Sequence, residues 1–117
     1  MRQSISIIDV ASKKVVARLS VPTRFANRLK FTPNGKLVLI SDLGSRDLVV
    51  VDVAGRKEVK RIQPGGGSAG ILMQPDGARA YVAVENGVTL IDLKTLEVAG
   101  QIEIGGGPDG LAWAVRN

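Results

Sequence analysis

The chain has 117 residues, 44% of them hydrophobic and 23% charged, which is long enough for one domain with a buried core and too apolar for a disordered segment. It contains neither histidine nor cysteine, so disulfides, Ser-His-Asp or Cys-His catalysis, and thiolate or all-imidazole metal sites are excluded. The net charge of +5 is unevenly spread: residues 1–61 hold 13 Lys or Arg against 5 Asp or Glu, and residues 62–117 hold 3 against 6. The halves thus carry +8 and −3, a split that marks an anionic partner for the first half, or basic side chains guarding strand edges against aggregation.

The chain opens with Met1-Arg2-Gln3-Ser4-Ile5 and passes straight into strand-like alternation, with no charged segment leading into an apolar stretch of about 7–15 residues, so no signal peptide is expected. Nor does any apolar run approach the roughly 20 residues that span a bilayer. The first predicted strand ends in Ile7-Ile8-Asp9-Val10. A polar turn, Ala11-Ser12-Lys13-Lys14, leads to a short strand closing on Leu19, then to Pro22-Thr23.

A strand through Leu29-Lys30-Phe31 follows, then the turn Pro33-Asn34-Gly35, in which proline presets one corner and Asn-Gly supplies positive φ. Next come the strand Leu37-Val38-Leu39-Ile40-Ser41, the turn Leu43-Gly44-Ser45 and the strand ending Val50-Val51-Asp52-Val53. After the turn Ala54-Gly55-Arg56-Lys57 a strand closes on Ile62, and Gly65-Gly66-Gly67 begins a link.

The series then starts again. Ile71-Leu72-Met73, the turn Pro75-Asp76-Gly77, the strand Arg79-Ala80-Tyr81-Val82-Ala83, the turn Glu85-Asn86-Gly87 and the strand ending Leu90-Ile91-Asp92-Leu93 repeat the pattern. Lys94-Thr95-Leu96-Glu97 and a strand closing on Ile102 complete it. Gly105-Gly106-Gly107-Pro108 then leads to a last predicted strand, Leu111-Ala112-Trp113.

Asp9, Asp52 and Asp92 stand 43 and 40 residues apart, and each is followed ten positions later by an apolar strand residue. Four short hairpin-linked strands in about 40–45 residues are the size of one blade of a β-propeller, whose blades bury their faces by stacking. The expected fold is therefore all-β, a β-propeller fragment of four-stranded antiparallel blades. It is one repeat region over 1–117: a partial blade at 1–21, complete blades at 27–63 and 69–103, and a partial blade at 109–117. That makes eleven strands, just under three blades, whereas closed rings have about 4–8. Either the chain is part of a longer protein or copies associate to complete a ring. Phe31, Met73 and Trp113 share one slot and are expected to fill gaps between blades.

These motifs resemble the YVTN-type, WD40-like β-propeller repeats, chiefly in Tyr81-Val82-Ala83, Pro75-Asp76-Gly77 and Gly107-Pro108-Asp109-Gly110, with Leu39-Ile40-Ser41-Asp42 a looser copy lacking the tyrosine. The resemblance covers nearly the whole chain. It implies a ring of about seven blades, a place outside the cytoplasm for a full-length relative, and no particular activity, since one fold hosts many functions.

Residues that look like chemistry have structural readings beside them. Gly65-x-Gly67-x-x-Gly70 and Gly105-x-Gly107-x-x-Gly110 match a dinucleotide pattern, yet strands rather than phosphate-holding helices are predicted to follow, so they read as inter-blade links. Asp9, Asp52 and Asp92 lack the alternate oxygen ligands of a calcium loop and are expected to accept backbone N–H bonds in their turns.

No catalytic, metal or cofactor-binding residue is assigned, no cofactor is expected, and the binding residues stay unassigned. The expected function is a non-enzymatic interaction or scaffold module that presents loops to a protein partner or self-associates. The alternative is a piece of a propeller enzyme, lactonase- or reductase-like, whose active site lies on other blades. An anionic surface could engage the basic first half through Arg56, Lys57, Lys60 and Arg61. Four aromatics (Phe25, Phe31, Tyr81, Trp113) give little support to nucleic-acid stacking.

Overall fold

The computed structural model describes residues 3–114, which carry ten strands and no helix. β1 (Gln3–Asp9) and β2 (Lys14–Val21) form a two-stranded sheet. β3 (Ala26–Phe31), β4 (Leu37–Asp42), β5 (Asp47–Asp52) and β6 (Lys57–Ile62) form a four-stranded meander, and β7 (Ile71–Met73), β8 (Arg79–Val84), β9 (Gly87–Asp92) and β10 (Glu97–Glu103) a second one. Every pairing is antiparallel. The meanders are propeller blades, and the β1–β2 hairpin occupies the two outer positions of the blade before them.

Four hairpins share one turn grammar. Asp9, Asp42, Asp52 and Asp92 each close a strand, and four residues later Lys13, Arg46, Arg56 and Leu96 adopt left-handed φ of 58°, 67°, 53° and 58°. The aspartate carboxylate takes the N–H groups that the tight turn would strand: Ser12 N donates to Asp9 at 2.9 Å, Gly55 N to Asp52 at 2.6 Å, and Lys94 N to Asp92 at 2.8 Å. Three of these turns are the sequence repeat. The fourth, at Asp42, lies on the opposite rim.

Alternation along the strands then sorts side chains to the two blade faces. Leu39, Leu48, Val50 and Ile62 of the first complete blade meet Ile71, Ala80, Val82, Val84 and Ile91 of the second, all buried. Val38, Ile40, Val49 and Val51 pack on Val21, Ile5 and Leu19 of the hairpin. Flanked on both sides, β4 and β5 are buried on both faces, so they read as unbroken apolar runs rather than alternating ones. Each fully buried aliphatic side chain contributes roughly 1.5–3 kcal/mol of transfer free energy, which makes the two interfaces the main source of stability.

Two expectations fail at the ends. The strand predicted through Leu111-Ala112-Trp113 does not form: residues 104–114 run without regular structure, and the remainder of the 109–117 partial blade lies outside the described residues. With no second strand of its own blade among the described residues, this segment has no ladder to join. The shared slot also has three outcomes. Met73 packs against the buried core, while Phe31 is 57% exposed and Trp113 46% exposed. Phe31 and Leu29 face the preceding blade, of which the described residues supply only the outer two strands. Trp113 lies against Tyr81, ring centroids 6.1 Å apart, in the gap its slot predicted, but open on its other side.

Candidate functional site

Two adjacent turns on one rim frame a cleft of about 480 Å³. In the β3–β4 turn, Lys36 N and the Thr32 hydroxyl both donate to Asn34 Oδ1, at 2.9 and 2.7 Å, and Gly35 takes a φ of 73°. In the β7–β8 turn, Ala78 N donates to Asp76 Oδ1 and Gln74 Nε2 to Asp76 Oδ2, both at 2.9 Å, while Gly77 takes a φ of 79°. The Tyr81 hydroxyl donates to Gln74 Oε1 at 3.0 Å, tying that turn to its sheet. Pro33, Leu37 and Leu93 give the cleft an apolar floor, and Asp76 and Lys94 bring opposite charges to its walls. The volume suits a small ligand or a few inserted side chains of a partner.

The opposite rim carries the links between blades, held by polar side chains in a repeating register. Arg61, nine residues after Asp52, donates to the Pro22 carbonyl at 2.8 Å. Gln101, nine residues after Asp92, donates to the Pro64 carbonyl at 3.1 Å, which also accepts from Thr89 Oγ1 at 2.7 Å. Each latch thus reaches back to a proline carbonyl of the preceding link, Pro22 thirteen residues and Pro64 twelve residues after a repeat aspartate. Arg61 is further held by Glu58 and by Asp47, 2.7 and 3.3 Å away, and these partners, Glu58 first, raise its already high pKa. It is therefore drawn out of the Arg56, Lys57, Lys60 and Arg61 cluster proposed for an anionic surface.

Asp42 is the fully buried charge of this rim. Its Oδ1 accepts from Phe25 N, Gly44 N and Ser45 N at 2.7, 3.0 and 3.4 Å, and its Oδ2 from Arg24 N and the Ser45 hydroxyl at 2.9 and 2.8 Å. Burial pushes the carboxyl upward, but the N–H groups of Arg24 and Phe25 and the Ser45 donors outweigh it, so the pKa lies below the ordinary value. The approach of the link is close enough that a Cβ on Gly44 would fall on the Arg24 Cβ.

The residues singled out in the sequence do not converge on one another. Asp9, Asp52 and Asp92 each serve their own turn. The Asp9 carboxyl is held low by the side chain and then the N–H of Ser12, and that of Asp92 by the N–H groups of Thr95 and Lys94. No acidic group capable of holding a metal gathers among the described residues. Gly65-Gly66-Gly67 forms the link between β6 and β7, where Gly67 N donates to Glu85 Oε1 at 3.4 Å, and the following residues Ile71–Met73 are strand, not helix. Arg46 reaches Glu85 at 2.9 Å across the same blades, but both side chains are more than half exposed, so this pair adds little. Sequence reasoning missed Asp42 and the latches. The signal for the latches was available, since Arg18, Arg61 and Gln101 all stand nine residues after a repeat aspartate.

No family model and no curated protein sequence matches the chain. Among solved structures, it is similar to the hydrazine synthase of Kuenenia stuttgartiensis, a protein that contains a β-propeller, with a TM-score of 0.85 and 28% identity over 92% of this chain. The chain spans 32% of the length of that structure's chain, about a third.

Proposed function

We propose that this chain is a YVTN-type propeller segment that acts as a non-enzymatic interaction module, with the cleft between its two Pro-x-Gly turns as the binding surface. The observation that carries this reading is the commitment of the cleft's polar groups. The Asn34 and Asp76 oxygens are taken up by their own turns. What remains is a concavity with an apolar floor and the Lys94 charge on its wall, suited to holding a peptide side chain. The test is a selection of displayed random peptides on the purified chain, followed by mapping of amide chemical shifts. Shifts confined to residues 32–37, 76–78 and 93–94, and loss of binding in Lys94→Glu, support the module. Peptides that perturb none of these residues refute it.

The similarity to a hydrazine synthase favours a second reading, a structural portion of a propeller-containing enzyme whose chemistry lies elsewhere. In that case the cleft is silent toward peptides, and the contacts of this chain are other blades.

A further inference from the structure

The latch register has a third member that finds no acceptor among the described residues. Arg18 stands nine residues after Asp9, pairs across the ladder with Ser6 as Arg61 pairs with Val49 and Gln101 with Thr89, and so shares their position in the blade. Its neighbours in the ladder, Ile5 and Leu19, face the first complete blade. Strand alternation therefore points Arg18 and Ser6 the other way, toward the preceding-blade position. Among the described residues the Arg18 side chain makes no hydrogen bond or ion pair.

Among the described residues, no side chain donates to the matching carbonyl at the other end of the chain. Gly65 and Gly105 both stand thirteen residues after a repeat aspartate and both take positive φ, 96° and 72°, so Ile104 holds the repeat position of Pro64, whose carbonyl accepts from Gln101. Around Gly65, Gly66 and Gly70 an added Cβ would meet Gln101, Val84 with Glu85, and Asp109, all from the next repeat. Around Gly105, Gly106 and Gly110 the same Cβ meets open space.

The trailing face beside this rim is apolar. Val88, Leu90 and Ile102 hold the positions that in the preceding blade, as Leu48, Val50 and Ile62, are buried, and Ile102 is 50% exposed. Trp113 lies over Tyr81 and covers the inner part of this face, leaving its outer part for a two-stranded sheet. The β1–β2 hairpin is such a sheet, made of the two outer strands of a blade.

We propose that the leading face of the β1–β2 hairpin docks on the outer trailing face of a second copy of this chain, with Arg18 donating to that copy's Ile104 carbonyl. The inference rests on reading the chain as a module built by blade stacking. Charge also selects this orientation: the leading half carries +8 and the trailing half −3, so head-to-tail contact is attractive while head-to-head contact sets basic halves together. The contact is heterologous, so it closes into a ring or continues as an open stack.

The test is sedimentation of the full chain across a concentration series. Wild type should exceed 12.3 kDa with rising concentration, and Arg18→Ala should weaken association about tenfold, as loss of a charged hydrogen bond does. Arg18→Glu and Ile102→Glu, each shown to be folded by circular dichroism, should each stay monomeric alone. Mixed, they should form one heterodimer, because each retains the surface that the other has lost. Overturning results are a wild type that stays at 12.3 kDa throughout, or single variants that associate as wild type does. The peptide cleft lies on the opposite rim, so either result leaves the module reading to its own test.

Discussion

Asp42→Asn is the most informative single change in this chain. The asparagine is isosteric, and with its oxygen on the Phe25, Gly44 and Ser45 amides its NH2 group points at Arg24 N and the Ser45 hydroxyl. The hydroxyl can rotate to accept. The Arg24 N–H cannot, so one charge-assisted bond becomes a donor facing a donor. Loss of such a bond costs about 1.5–3 kcal/mol, and an orphaned buried N–H about 1–3 kcal/mol, so a destabilisation of about 3 kcal/mol is expected at neutral pH. At roughly 4 °C per kcal/mol for a domain of this size, the melting temperature should fall by about 12 °C.

The effect should also depend on pH with a definite sign. The native carboxyl is held below its ordinary value, so its contribution is complete above the unfolded pKa of about 3.9 and drains away as pH falls through the lower native value. The gap between wild type and variant in urea melts should therefore be constant from neutral pH to about 5 and narrow below about 4. A gap under about 1 kcal/mol at neutral pH, or one that does not narrow in acid, would refute the assignment of Asp42 as the charged lock of the first link.

Three further outcomes follow from the packing. In Gly70→Ala the new methyl would fall on the Asp109 carbonyl, displacing the segment that carries Trp113. Its fluorescence should shift to the red, and an unchanged spectrum would show that the segment does not lie on Tyr81. Arg56→Gly relieves a left-handed non-glycine residue at φ 53° and should stabilise the chain by about 0.5 kcal/mol in thermal melts, where the left-handed penalty of roughly 1 kcal/mol is offset in part by glycine's entropy. Leu39→Ala, fully buried between blades, should cost about 3 kcal/mol in urea melts, whereas Val59→Ala on the exposed side of β6 should stay within about 0.5 kcal/mol. Equal effects would contradict the placement of the core.

The blade pattern was legible because its causes are local. An aspartate that caps the turn following it, Pro-Asn-Gly and Pro-Asp-Gly corners, and alternation in Arg79–Val84 act within a few residues, so they were readable at Asp9, Asp52 and Asp92 without any partner. The links were legible as links because the glycine runs recur in register with those aspartates. Asp42 and the latches were not, because their meaning depends on what another unit brings to them. Asp42 sits in a loose copy of the motif, and only the arrival of Arg24 and Phe25 makes it a buried charge. Arg61 reads as one more basic side chain until Pro22 is placed beside it.

Sequence alone thus determined ten of the eleven expected strands, their turns and their order of pairing, since hairpins connect neighbours. Which faces are covered was a matter of tertiary structure. Phe31, Met73 and Trp113 occupy one slot of the repeat and are chemically alike in size and polarity, yet one packs against the core, partly buried, and two are half open. A side chain's burial is set by the blade opposite, and each of these three has a different neighbour.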